Sequence, residues 1–195
     1  MKVGIMGGTF DPIHLGHLLA AERAREQAGL DEVWFMPAHV PPHKAHAPKA
    51  DAEARWEMVV RATKSHAAFQ AVDFELRRGG TSYTIDTITE LRKTYPDHQF
   101  FYIIGGDMVM YLPKWYRIGE LARQVTFIGL ERPGYVIKLE ELPDEIRRSV
   151  LLVPMPLMEI SSTDIRARRA GGQSIRYVVT EPVRDYIEGN GLYEA

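Results

Sequence analysis

Short apolar runs alternate along the chain with longer segments in which apolar residues recur every three or four positions. The short runs predict strands over residues 2–6, 33–36, 71–76, 99–104, 125–130 and 150–153. The periodic segments predict helices over residues 17–27, 51–65, 84–94, 143–148, 161–170 and 180–188. Strands that are apolar on both faces and alternate with helices form parallel sheets covered by helices on both sides. The pattern therefore predicts an α/β fold.

The order of these elements predicts a Rossmann-like, doubly wound parallel sheet. No repeat, low-complexity tract or linker interrupts the 195 residues, so we expect a single domain over 1–195 with a helical portion at about 156–195. Ligands bind such sheets at the carboxyl ends of the strands, where the strand order reverses. Three predicted strands end in polar or glycine-rich turns, at Gly7-Gly8, at Gly105-Gly106-Asp107 and at Arg132-Pro133-Gly134. We expect the functional site at these turns.

Composition narrows the class of protein. The chain has no cysteine, which excludes disulfide scaffolds, thiolate zinc sites and cysteine nucleophiles. A net charge of -2 argues against a non-specific nucleic-acid binder, although a local basic pocket remains compatible with it. No stretch approaches the roughly 20 apolar residues that cross a bilayer, and the amino terminus does not read as a signal peptide. We expect a cytoplasmic protein that binds neither membrane nor nucleic acid.

The segment Gly7–His17 has the features of a phosphate site. Two glycines directly after a strand allow the backbone to approach a ligand, and the first N–H groups of the following helix favour an anion. Thr9 adds a hydroxyl, while His14 and His17, with Gly16 between them, can direct two imidazoles at one phosphate. The alternative is a strand–turn–helix with two incidental histidines. The segment is neither a P-loop nor a G-x-G-x-x-G turn.

A second group of hydroxyls opens the helix after Ile160. Ser161, with Asp164 three residues on, fits a capping box, and Ser162 and Thr163 follow directly. One interpretation is a well-capped helix with a solvated basic face. The other is a phosphate cradle at a positive helix terminus, with Arg166 one turn inside the helix.

Taken together, these motifs resemble the H-x-G-H superfamily of nucleotidyltransferases, and the run Phe10-Asp11-Pro12-Ile13-His14 most resembles bacterial nicotinate-nucleotide adenylyltransferases. The resemblance extends from Gly7 to Tyr193. It implies that His14 and His17 bind the triphosphate, that the motif around Arg166 grips the β- and γ-phosphates, and that no covalent enzyme intermediate forms. The implied ATP site comprises Gly7, Gly8, Thr9, Phe10, Gly105, Asp107, Arg132, Ile160, Ser161, Ser162 and Thr163.

The proline- and histidine-rich loop over residues 38–49 carries a further candidate, Lys44. The resemblance implies that a lysine at this position helps to bind phosphate, and a lysine on a loop can close over a substrate. A solvated lysine is the alternative. His39, His43 and His46 also suggest a metal site, but their spacing matches no H-E-x-x-H pattern. We therefore expect no protein-held metal.

Two regions are candidates for binding the acceptor. The resemblance implies that Thr84 contacts a pyridine nucleotide and that Trp115, with Tyr116 beside it, stacks on the nicotinate ring. Capping of a helix and packing into the core are the alternatives for these residues. Asp107 suits the two hydroxyls of a ribose, with helix capping as its alternative. Arg132 is expected to border the adenine, with an ordinary surface arginine as its alternative.

The expected reaction transfers the adenylyl group of ATP to nicotinate mononucleotide, with Mg²⁺ bound mainly through the ATP phosphates. The products are nicotinate adenine dinucleotide and pyrophosphate. The nearest alternative is a phosphopantetheine adenylyltransferase, ahead of a cytidylyltransferase. A non-catalytic nucleotide sensor on the same fold is an alternative of a different class. The residues do not decide between nicotinate and nicotinamide mononucleotide. A homo-oligomer is compatible with the sequence, but no heptad or long exposed apolar face marks an interface.

Overall fold

The protein was analysed as a computed structural model that describes residues 1–40 and 47–195. Within these ranges all the paired strands form one parallel sheet in the order β3-β2-β1-β4-β5-β6. The strands are β1 (Lys2–Gly8), β2 (Glu32–Pro37), β3 (Phe69–Ala71), β4 (Gln99–Gly105), β5 (Thr126–Glu131) and β6 (Val150–Pro154). The order reverses between β1 and β4, which confirms the predicted doubly wound topology and places the crevice at their carboxyl ends.

Helices occupy most of the connections between these strands. They are α1 (Leu15–Ala28), α2 (Ala52–Thr63), α3 (Phe74–Arg78), α4 (Thr84–Thr94), α5 (Gly106–Tyr111), α6 (Ile118–Ala122), α7 (Asp144–Arg147), α8 (Ser162–Ala170) and α9 (Glu181–Gly189). No helix in the described part of the chain is long and apolar enough to cross a membrane.

Each face of the sheet has its own apolar core. Along β2, Val33 and Phe35 pack on one face, while Trp34 and Met36 pack on the other. The first face is covered by α1, α2, α8 and α9, and the second by α4, α5, α6 and α7. This division explains why the strands are apolar on both sides, and it confirms the helix layers that the sequence predicts.

The strand predicted over residues 71–76 is wrong. Pairing with β2 ends at Ala71, and the chain turns into α3 at Phe74. Alternating apolar and acidic residues suggested a strand, but Glu75 is directed inward, where its carboxylate accepts a hydrogen bond from the Thr87 hydroxyl at 2.7 Å. A buried carboxylate needs such a partner, and this one lies twelve residues further along, outside the local pattern. The short helices α5 and α6 were also not predicted.

Candidate active site

The turn after β1 begins where the sheet reverses its order. A β-carbon on Gly7 would overlap the hydroxyl of Tyr102 in neighbouring β4, so the first glycine is required by packing as well as by access to a ligand. Phe10 is buried and has a φ of +50°, a backbone conformation that non-glycine residues rarely adopt. Its ring contacts the ring of Phe35 in the core, which anchors the turn between strand and helix.

The two histidines of this segment lie side by side. His14 is the N-cap of α1, and its ring stacks on that of His17 with centroids 3.7 Å apart. The backbone N–H of His14 donates to Nδ1 of His17 at 3.2 Å, so a neutral His17 carries its proton on Nε2. Gly16 lies close beneath them, since a β-carbon there would be 3.0 Å from Cε1 and Nδ1 of His14. Position 16 therefore has to be occupied by a small residue.

His14 is an uncharged imidazole at neutral pH. Burial lowers its pKa from 6.5 to about 4, and the positive charge of Arg132 acts in the same direction. Arg132 follows β5, so this interaction indicates that the carboxyl end of β5 lies near the histidine pair. A neutral imidazole can still donate one hydrogen bond to a phosphate oxygen.

The helix α8 is bonded directly to the same turn, although the two segments lie some 150 residues apart. Ser162 donates its hydroxyl to the carbonyl of Pro12 at 2.9 Å. Arg166 donates through Nη1 to the carbonyl of Asp11 at 2.8 Å and through Nη2 to the hydroxyl of Thr163 at 3.2 Å. The two segments that the sequence singled out for phosphate thus form one cluster, in which the first turns of α8 are bonded to the turn that leads into α1.

The start of α8 has one of the two hydrogen bonds of the predicted capping box. Ser161 is the N-cap, and its hydroxyl accepts a hydrogen bond from the backbone N–H of Asp164 at 3.0 Å. Ile160, directly before the cap, is partly buried and packs against the core on the α1 and α8 face of the sheet. Helix capping therefore accounts for Ser161 by itself, whereas Ser162 and Arg166 are bonded to the turn and Thr163 is bonded to Arg166.

The candidates for the ribose and adenine lie at the ends of β4 and β5. Gly105 ends β4, and Gly106 begins α5. Gly106 lies close to β5, since a β-carbon on it would be 2.9 Å from the carbonyl oxygen of Leu130. Asp107 is exposed in the first turn of α5, and Arg132 is exposed after β5. Both side chains are therefore accessible to solvent and follow the carboxyl ends of β4 and β5.

The acceptor candidates form a neighbouring group. Thr84 begins α4 and hydrogen-bonds the hydroxyl of Tyr102, the same hydroxyl that lies over Gly7. Trp115 is half-buried, with its ring edge-to-face against Tyr102 at 5.8 Å. Tyr116 is 54% exposed and contacts only the neighbouring ring of Tyr83 among the ring contacts described. Core packing thus accounts for part of Trp115, while Tyr116 is directed to the surface.

Several buried or half-buried polar residues near the site were not singled out from the sequence. Arg55 is 2% exposed on the inner face of α2, at helical spacing from Met58, Val59 and Ala62. A charged residue within such an apolar stripe is a signal that the sequence offered. Glu75 and Tyr193 offered none, because their partners are distant in the chain. Lys44 lies outside the described residues.

Comparison with known proteins places this chain in a class of enzyme. A model of the family described as cytidylyltransferase-like matches residues 5–168, a range that includes both ends of the cluster. The fold and the match define a nucleotidyltransferase.

Full-length relatives give the particular family. The chain is 45% identical over 194 residues to the nicotinate-nucleotide adenylyltransferase of Bacillus subtilis strain 168, covering 100% of this chain and 99% of the relative. It is 49% identical over 195 residues to a probable nicotinate-nucleotide adenylyltransferase of Exiguobacterium sibiricum, covering 99% of each. The chain belongs to the nicotinate-nucleotide adenylyltransferase family.

A solved structure shares the fold at much lower identity. The nicotinic acid mononucleotide adenylyltransferase of Plasmodium falciparum, complexed with NaAD, superposes with a TM-score of 0.78 at 20% identity. The match covers 98% of this chain and 97% of that one. At this identity the similarity shows the architecture alone.

Proposed function

We propose that the protein transfers the adenylyl group of ATP to nicotinate mononucleotide, giving nicotinate adenine dinucleotide and pyrophosphate in NAD biosynthesis. The observation that carries the proposal is the cluster of the His14–His17 pair with the start of α8 at the switch point of the sheet. Family membership supports the choice of substrates.

The triphosphate binds between the turn after β1 and the amino end of α8. The positive ends of α1 and α8, together with hydroxyls and guanidinium groups, stabilise negative charge there. His14 donates a hydrogen bond to the α-phosphoryl group, on which charge builds as the pyrophosphate leaves. His17 and Arg166 hold the neighbouring phosphates, with Lys44 as a further candidate. Two further sets of groups complete the phosphate site. They are the backbone N–H groups around Gly7, Gly8, Thr9 and Phe10, and the hydroxyls of Ser161, Ser162 and Thr163.

The remaining candidates position the two nucleosides. Asp107, beside Gly105, accepts hydrogen bonds from a ribose, and Arg132 borders the adenine, as does the segment ending at Ile160. Thr84, Trp115 and Tyr116 bind the pyridine mononucleotide on the β4 side of the turn. The acceptor phosphate is ionised near neutral pH, so it attacks the α-phosphorus in line without a strong general base, and catalysis rests on positioning and charge stabilisation.

Mg²⁺ accompanies ATP in this proposal. In residues 1–40 and 47–195 no three His, Asp or Glu side chains lie close enough together to hold a metal ion. The groups gathered at the turn are imidazole, hydroxyl and guanidinium donors, which suit phosphate oxygens. The ion would be held through the ATP phosphates, where it neutralises part of their charge.

The test is to incubate the protein with ATP and Mg²⁺ and to measure pyrophosphate release with each acceptor in turn. We expect release with nicotinate mononucleotide and the dinucleotide as product. Absence of release with both nicotinate and nicotinamide mononucleotide would overturn the assignment of the acceptor. Release with phosphopantetheine instead would assign the protein to that rival activity.

The role of His14 has its own test. His14→Ala should lower turnover about a hundredfold or more, because a well-placed donor to the transition state contributes roughly 3 kcal/mol or more. His66→Ala is the matched control, since His66 lies beyond α2 with its ring stacked on Phe69. A folded His14→Ala protein with near-wild-type turnover would remove His14 from the mechanism.

A further inference from the structure

The carbonyl groups of the turn after β1 are held by donors from elsewhere in the chain. The carbonyl of Asp11 accepts from Arg166, and that of Pro12 accepts from Ser162. The carbonyl of Thr9 accepts from Nη1 of Arg55, which lies on the inner face of α2, at 2.9 Å. A carbonyl that is occupied by such a donor is unavailable to face an anion, so these bonds determine which groups the turn presents.

Arg55 joins two segments at once. The same Nη1 that donates to Thr9 also donates to the carbonyl of Ala38 at 2.8 Å, directly after β2. The N–H of Ala38 in turn donates to the carbonyl of Gly8 at 2.8 Å. One buried guanidinium therefore connects the turn after β1 with the chain that leaves β2, and it does so with less than a twentieth of its surface exposed.

A buried cation needs a counterion, and Asp11 supplies it. Burial lowers the pKa of Arg55, whereas the negative charge of Asp11 acts to raise it, and an arginine stays charged in either case. The Asp11 carboxylate accepts hydrogen bonds from the N–H groups of Lys49 at 2.7 Å and Ala50 at 3.0 Å. It also accepts one from the hydroxyl of Tyr193 at 2.7 Å. The carboxylate is thus satisfied by three hydrogen-bond donors, and its Oδ2 also lies 4.0 Å from Nη1 of Arg166.

We propose that Arg55 is a positioning residue for the nucleotide phosphates, with Asp11 and Tyr193 as its support. By holding the carbonyl of Thr9 toward α2, Arg55 orients the turn after β1 so that its backbone N–H groups and the start of α1 face the ligand. It touches no substrate itself. The inference rests on the proposed function in one respect, namely that the turn is where ATP binds.

The test compares Arg55→Lys with Arg61→Lys. Lysine keeps the charge but replaces the planar guanidinium with a single ammonium group, so it does not reproduce the bridge between the carbonyls of Thr9 and Ala38. Arg61 lies on the same helix, is exposed, and donates to Glu57 at 2.7 Å, so Arg61→Lys is a matched control. Binding of ATP with Mg²⁺ is measured by calorimetry well below the melting temperature, together with kcat and both KM values.

We expect Arg55→Lys to raise the dissociation constant for ATP about tenfold, the equivalent of one hydrogen bond, and to lower kcat. The KM for the acceptor should stay within about twofold of wild type, and Arg61→Lys should change neither constant. A merely structural role would lower the melting temperature and leave ATP affinity unchanged in the folded protein. A folded Arg55→Lys protein with wild-type affinity and kcat would overturn the proposal.

Tyr193→Phe provides a second variant if Arg55→Lys does not fold. It removes one donor to Asp11 without changing any charge, and it should weaken ATP binding severalfold. Unchanged ATP affinity in this variant would also overturn the proposal. If the wild-type protein binds ATP but releases no pyrophosphate with nicotinate mononucleotide, only the acceptor assignment fails. If it does not bind ATP, both proposals fail.

Discussion

The neutral state of His14 has a consequence for stability that can be measured directly. His14 is 7% exposed, and its pKa falls from 6.5 in an unfolded chain to about 4 in the folded protein. Between these values the unfolded state binds a proton that the folded state does not bind. The free energy of unfolding should therefore be unaffected above pH 6.5 and should decrease as the pH falls toward 4.

The size of the effect follows from the two pKa values. One pKa unit corresponds to about 1.4 kcal/mol, so His14 should remove about 2 kcal/mol of stability by pH 5 and about 3 kcal/mol by pH 4. His14→Gln removes the titrating group, while the other histidines remain in both proteins. The difference in free energy of unfolding between the wild-type protein and this variant isolates the contribution of His14 together with any change at its stacked neighbour, His17.

The assay is equilibrium urea unfolding, followed by circular dichroism in steps of pH from 7 to 4. Wild type should lose stability relative to His14→Gln by about 2 kcal/mol between pH 7 and 5. A parallel titration of the histidine Cε1 protons by NMR should show one ring with a pKa below 5. A difference in unfolding free energy that stays flat over this range, with every histidine titrating near 6.5, would refute the burial argument.

Three further substitutions test the geometry of the site. Gly16→Ala places a methyl group 3.0 Å from the His14 ring, so kcat should fall roughly tenfold with little change in stability, and unchanged kinetics would contradict this. Gly106→Ala brings a β-carbon within 2.9 Å of the Leu130 carbonyl, so urea unfolding should show a loss of about 1–3 kcal/mol. Ser161→Ala removes the cap of α8 and should reduce stability by about 1 kcal/mol, whereas an unchanged midpoint would mean that water replaces the hydroxyl.

Much of the architecture can be read from local patterns. Apolar runs mark β1, β2 and β4, and periodicity gives the bounds of α4 as the structure has them, at Thr84–Thr94. Alternation of strands and helices is sufficient to predict a parallel sheet, because parallel strands require a crossover. The pattern fails where a local signal is misleading, as at α3, where an alternating sequence folds as a helix around the buried Glu75.

The candidate site divides in the same way. The sequence identifies the Gly7–His17 and Ser161–Arg166 segments because each has its chemistry within a few consecutive residues. Their direct contact, through Ser162 on Pro12 and Arg166 on Asp11, depends on how the chain folds around the sheet.

Charge states and supports depend wholly on the tertiary structure. The lowered pKa of His14 comes from burial and from Arg132, which lies more than a hundred residues away in sequence. Arg55 and Tyr193 reach the same turn from α2 and from the carboxyl-terminal end of the chain. Sequence alone therefore determined the fold class and identified the two candidate phosphate segments, since these depend on neighbouring residues. Only the tertiary structure decided which distant residues support these segments and set the charge state of His14, because burial and Coulomb interactions depend on distance in space.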